Sequence, residues 1–185
     1  MLRIAIGNRI AGASVLGLFD RMGIDMRLGE VHYVSENFPL EAVFVDDDGV
    51  EQAIDAGVAN IGIVGKSFGG DGCEVLRSSA ALLLVGKGAR DGHTEFLLEE
   101  FLKRWDGVAN AEGAILFRLN VPNNRIDEVA RIVKCEHLSV APLCKKNWSC
   151  VEGIIDERYF WDIEEKLKQS KVEEIVWVRI TGVLR

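Results

Sequence analysis

Two clusters of residues have the types and spacing to do chemistry. The first is Gly65-Lys66-Ser67, which ends the apolar run "NIGIVG". A lysine and a hydroxyl beside glycine suit a phosphate, but a nucleotide-phosphate loop needs Gly, four residues, then Gly-Lys-Ser or Gly-Lys-Thr, so that backbone N–H groups wrap the phosphates. Counting back from Gly65, the required glycine falls on position 60, which is Asn60. Gly62 is followed by Ile63 and Val64, so a Gly-x-Gly-x-x-Gly dinucleotide turn does not fit either. The glycines therefore need another explanation, which the rest of the chain has to supply.

The second cluster is Cys135, His137, Cys144 and Cys150, soft ligands within positions 135 to 150. Zinc takes ligands in close pairs, and only Cys135 and His137 are close. Cys144 and Cys150 flank a hairpin tip, "CKKNWSC", and read as small apolar groups. No metal site is assigned. Of Asp46, Asp47 and Asp48, one is expected to cap a helix and the other two to be solvated. His32 and His93 stand in polar contexts with no paired carboxylate or serine pattern, so neither is given a catalytic role, and no catalytic residue is assigned.

The elements that must position these residues alternate. "LRIAI" is a strand, and "GASVLGLFDRMGI" a helix with Val15, Leu16, Phe19 and Met22 at helical spacing, Ser14 as N-cap and Gly23 as stop. "LEAVFV" is a strand, and "DDDGVEQAIDAG" a helix with Asp48 and Glu51 in capping-box spacing. "NIGIVG" and "SSAALLLVG" are further apolar strands, which implies a parallel or mixed α/β sheet. "HTEFLLEEFLKRW" is an amphipathic helix capped by Thr94, and "DGVANAEG" reads as a link. Beyond it the order β-α-β-β-α-β over residues 112–185 predicts a ferredoxin-like domain.

The chain has 185 residues, 48% hydrophobic and 28% charged, and a formal net charge of −7. That composition is of a folded protein with one large or two small domains. The acidic balance argues against nucleic acid or an anionic membrane as a partner held by charge alone. No run of about 18 apolar residues is present to span a bilayer, and the N-terminal "MLRIAIGNRIAG" turns polar too early for a signal peptide, so a cytoplasmic location is expected.

The residues also carry a family resemblance, in three stretches. "VDDDGVEQAIDAGVANIGIVGKS" and "GGDGCEVLRSSAALLLVGKGARDGHTEFLLEEFLKR" resemble parts of the catalytic half of the long-form ATP phosphoribosyltransferases, which begin histidine biosynthesis by joining ATP and phosphoribosyl pyrophosphate. The stretch from Gly113 to Leu184 is similar to their C-terminal regulatory domain along its full length, including Asn120-x-Pro122, Val140-x-Pro142-Leu143, Trp148 and Trp161. The resemblance implies a truncated, periplasmic-binding-like α/β lobe over 1–108 and a ferredoxin-like regulatory domain over 112–185. It also implies that the second lobe, with its threonine-rich phosphate loop, is deleted near 67–72. The family's Pro-Lys-Gly-Arg appears as Gly7-Asn8-Arg9, and aspartates of its first lobe appear as Asn60 and Ser67, so the resemblance implies only a residual phosphate or nucleotide pocket at Arg9, Lys66 and Ser67.

From this resemblance the chain is expected to be a non-catalytic or regulatory member that binds histidine or a similar small ligand, with Ser139 where a family hydroxyl sits, and to form a homo-oligomer. The alternative is a subunit of an active transferase completed by a partner chain, binding ATP and phosphoribosyl pyrophosphate, with Mg²⁺ needed only in that case. Alone, the chain is expected to be inactive, since one lobe cannot close a cleft around two substrates.

Overall fold

The computed structural model describes residues 1–8, 12–29, 32–65, 74–77, 82–86, 90–135 and 137–184. They fall into two compact units, Met1–Asn110 with the C-terminal tail from Gly182, and Ala111–Thr181. Both mix strands and helices.

Alternation along the first strand sets the layers of the first unit. Strand β1 (Leu2–Gly7) turns Leu2, Ile4 and Ile6 to one side and Ala5 to the other, and all four are buried. Its neighbours are β4 (Leu40–Val45) and β5 (Ile61–Val64), both parallel to it. The sheet is completed by β2 (Met26–Leu28), β3 (Tyr33–Ser35), β6 (Glu74–Arg77) and β7 (Leu82–Val85), in the order β2-β3-β4-β1-β5-β7-β6. Every other pairing is antiparallel, so the sheet is mixed. Helices α1 (Gly12–Arg21) and α3 (Gly92–Ala111) cover one face, packing Phe19, Phe101 and Trp105 onto Ile4, Ile61 and Leu83. Helix α2 (Asp47–Asp55) covers the other with Val50 and Ile54.

Several local expectations change. Ser14 lies inside α1 rather than at its cap. The cap residue of α2 is Asp46, and its side chain makes no capping bond, so the Asp48–Glu51 box does not form the start of that helix. At α3 the capping carboxylate is that of Asp91, which accepts from Thr94 N at 2.8 Å and Thr94 Oγ1 at 3.0 Å. The segment read as a link is mostly helix: Val108 and Ala111 extend the buried stripe of α3, and Gly113, with φ +73, makes the turn that ends it.

The second unit is a four-stranded antiparallel sheet under two helices. Strands β8 (Ala114–Pro122), β9 (Ser139–Pro142), β10 (Trp148–Asp156) and β11 (Glu173–Arg179) stand in the order β11-β8-β10-β9. A 3₁₀ turn, Asn123–Arg125, leads into α4 (Ile126–Val133), and α5 (Glu157–Gln169) follows β10. The alternating residues Ile115, Phe117, Leu119 and Val121 of β8 meet Val129, Val133, Phe160, Ile163 and Leu167 of the helices. Asp156 caps α5, accepting from Arg158 N and Tyr159 N. Among the described residues of this unit, no helix packs on the opposite face of the sheet. Among the described residues, no helix is long and apolar enough to cross a membrane.

Candidate functional site

The uncovered face of the second unit brings together residues that are far apart in sequence. Antiparallel register sets Ser139 opposite Glu152, Glu152 opposite Arg118, and Arg118 opposite Val176. Directly opposed residues point to the same side, so a hydroxyl, a carboxylate and a guanidinium form a row across the sheet. Neighbouring strands are about 4.8 Å apart, which spaces these groups for one small molecule. The next row holds Ile154, Leu116 and Val178, an apolar shelf beside the polar one. Ser139 and Arg118 are exposed, and Ile154, Val176 and Val178 stand 39%, 53% and 50% open.

Arg118 is held in place from below. Its Nε donates to the Sγ of Cys150 at 3.0 Å, and Cys150 is buried under it. This leaves the two terminal nitrogens of the guanidinium available for an anion, in the forked geometry that suits a carboxylate. The carboxylate directly opposite on β10, Glu152, suits an ammonium group. Arg118 and Glu152 were not singled out from sequence, because they are 34 positions apart and only strand register makes them neighbours.

The soft-ligand cluster does not assemble. Cys135 packs on the helix side, where its Sγ donates to the carbonyl of Ile154 at 3.3 Å, whereas Cys150 faces the open side. Cys144 is exposed at the hairpin. Trp148 lies under the Nζ of Lys145, 3.5 Å from its ring centre. Trp161 and Trp177 stack edge to face at 5.1 Å, both half-exposed.

In the first unit, the C-terminal ends of β1 and β4 meet beside the start of α2. Ligands of open α/β sheets favour such ends. Asn8 donates to Asp46 Oδ1 at 3.0 Å, tying the two ends together. Asp47, read as solvated, is in fact buried at 7% exposure. A side chain at Gly7 would run into the Asp47 carboxylate, so the glycine at the strand end was the available signal for that burial. Arg9, Lys66 and Ser67 lie outside the described residues. His32 does have a carboxylate neighbour, Glu41 at 3.6 Å, contrary to the expectation that it has none.

Comparison with known proteins bears most directly on the second unit. Residues 111–182 match the family model described as HisG, C-terminal domain. Over part of its length the chain is similar to ATP phosphoribosyltransferases. It is 32% identical over 112 residues to the ATP phosphoribosyltransferase of Azobacteroides pseudotrichonymphae, covering 60% of this chain and 39% of that one. The corresponding enzymes of Bacteroides thetaiotaomicron and Phocaeicola vulgatus are 33% and 34% identical with the same coverage. The chain thus spans about two fifths of the length of the curated relatives it matches. An ATP phosphoribosyl transferase (HisG:HisZ) complex from Thermotoga maritima aligns over 100% of this chain and 83% of that one at 12% identity, with a TM-score of 0.33, a likeness too low to support a structural argument.

Proposed function

We propose that this chain is a regulatory, non-catalytic member of the ATP phosphoribosyltransferase group, whose second unit is a ferredoxin-like domain that binds histidine or a similar small amino acid. The observation that carries this reading is the polar row Ser139–Glu152–Arg118 beside the apolar shelf Ile154–Leu116–Val178. An α-amino acid needs a cation for its carboxylate, an anion for its ammonium and an apolar surface for its side chain, and the two rows offer all three. Ser139 supplies a hydroxyl that bonds to either end group. The exposed Val176 and Val178 on the same face favour a second copy of the chain closing over the ligand.

On this reading the first unit corresponds to the first lobe of the family, with the second lobe deleted near 67–72. Arg9, Lys66 and Ser67 are what remains of its phosphate pocket. Without a second lobe to close the cleft, the chain alone transfers no phosphoribosyl group. Mg²⁺ and a completing partner chain become relevant only if transfer is retained.

Calorimetric titration of the purified chain with L-histidine, with ATP plus Mg²⁺ and with phosphoribosyl pyrophosphate, each alone, tests the proposal. Saturable heat with histidine, weakened at least about tenfold in Arg118→Ala through loss of a charge-assisted bond, is the expected result. Binding of ATP or phosphoribosyl pyrophosphate with none of histidine would reverse it, and would favour the chain as the subunit of an active transferase.

A further inference from the structure

The helical side of the second unit holds a groove that the sheet-face reading leaves unused. It lies between α4 and α5 and has a volume of about 400 Å³, within the range of small-molecule sites. Ile132 and Ile163 form its apolar floor, and the ring of Tyr159 a wall, fixed by a bond from the Tyr159 hydroxyl to the carbonyl of Ile132 at 2.7 Å. Five charged side chains line it: Arg131, Lys134, Lys166, Glu128 and Asp162.

These charges are not balanced among themselves. Glu128 is already engaged on both oxygens, accepting from Ser170 Oγ at 2.8 Å and pairing with Arg125. The Ser170 bond first, and Arg125 second, hold its carboxyl below the usual glutamate range. Asp162 alone is left to offset three cations, which leaves two positive charges in a chain whose net charge is −7. Arg131 Nε donates to the Asp127 carbonyl at 3.1 Å, which orients the guanidinium while leaving its terminal nitrogens forward. Lys134 sits at the end of α4 with φ +50. That left-handed conformation closes the helix, and it stands where the lysine lines the groove.

We infer that this groove binds a small phosphate monoester that also carries hydroxyl groups, the phosphate on Arg131, Lys134 and Lys166 and a hydroxyl donating to Asp162. A phosphate monoester has a charge of about −1.5 to −2 at pH 7, which matches the two uncompensated positive charges. A monocarboxylate matches only one, and a dicarboxylate such as succinate, though doubly charged, divides its charge between two separated groups instead of presenting it on one. The inference stands apart from the amino-acid reading, since the groove and the open sheet face are on opposite sides of β8–β11.

The test is a titration of the ¹⁵N-labelled full chain with glycerol 3-phosphate, followed by amide shifts, with succinate and inorganic phosphate as comparisons. Saturable shifts confined to α4 and α5, at least about tenfold weaker with succinate and weakened by added salt, are expected. The double variant R131Q/K166Q should lose at least about tenfold in affinity, and K145Q, on the distant hairpin, should bind as the parent does. All the substituted side chains are exposed, so equal melting temperatures are expected and separate loss of binding from loss of fold. No saturable shift, shifts scattered over the surface, or undiminished binding by R131Q/K166Q would overturn the inference. Inorganic phosphate binding as tightly as the ester, or D162N leaving the ester's affinity unchanged, would overturn the role given to the hydroxyl and Asp162.

Discussion

Asp91 shows how one carboxylate ties the first unit to pH. It accepts the backbone N–H and the hydroxyl of Thr94 at the start of α3, and these bonds, the backbone one first, hold its pKa below the ordinary aspartate value. A group whose pKa is lower folded than unfolded contributes stability above the unfolded value, about 3.9, and loses it as pH falls through the folded value. Asparagine also serves as an N-cap but carries no charge to titrate. Denaturant midpoints measured from about pH 6 down to about pH 3 should therefore fall less steeply in Asp91→Asn than in the parent. Identical slopes would show that the cap contributes nothing that depends on charge. The neighbouring lesson is that Thr94, named as the cap from sequence, is the partner instead: both residues have capping side chains, and spacing alone does not choose between them.

At the scale of elements, long periodic segments and continuous apolar runs were legible, and short strands without either were not. "LEAVFV" is β4 to the residue, and the amphipathic "HTEFLLEEFLKRW" lies wholly within α3. Strands β2, β3 and β6 have three or four residues each, too few for a period to stand out. Their pairing depends on partners supplied by the rest of the sheet. The same holds for the site: Ser139 was reached only through family resemblance, while Arg118 and Glu152 become a pair through the β8–β10 register. Close approach between elements left a clearer trace. Gly62 of β5 lies directly under α2, where an added Cβ would collide with Val50 and come within 3.0 Å of Ile54 Cδ1. Gly62→Ala should destabilise the first unit by about 1–3 kcal/mol, the usual cost of overpacking. Val50→Ala in the same background should recover part of that loss, giving a coupling of about 0.5–3 kcal/mol in a double-mutant cycle. Strict additivity would mean that α2 shifts away rather than clashing.

For the whole molecule, the decisive feature is that each unit encloses its own core. Trp105 and Phe101 belong to one, Phe117 and Phe160 to the other, and all four are buried at 1% exposure or less. Truncating Phe117 removes a fully buried ring from the centre of β8, and such changes cost about 3–5 kcal/mol. If the two cores unfold separately, Phe117→Ala should speed amide exchange throughout β8, β10 and β11 while the amides of β1, β4 and β5 keep their protection. An amino acid bound on the open face at one hundred times its Kd should slow exchange of the second unit by the equivalent of about 2.7 kcal/mol, again without effect on β1, β4 and β5. Loss of protection in both units together after Phe117→Ala would instead make the chain a single cooperative structure. Ligand binding on the sheet face would then stabilise the first unit too, which is the coupling a regulatory domain needs in order to act on the lobe it accompanies.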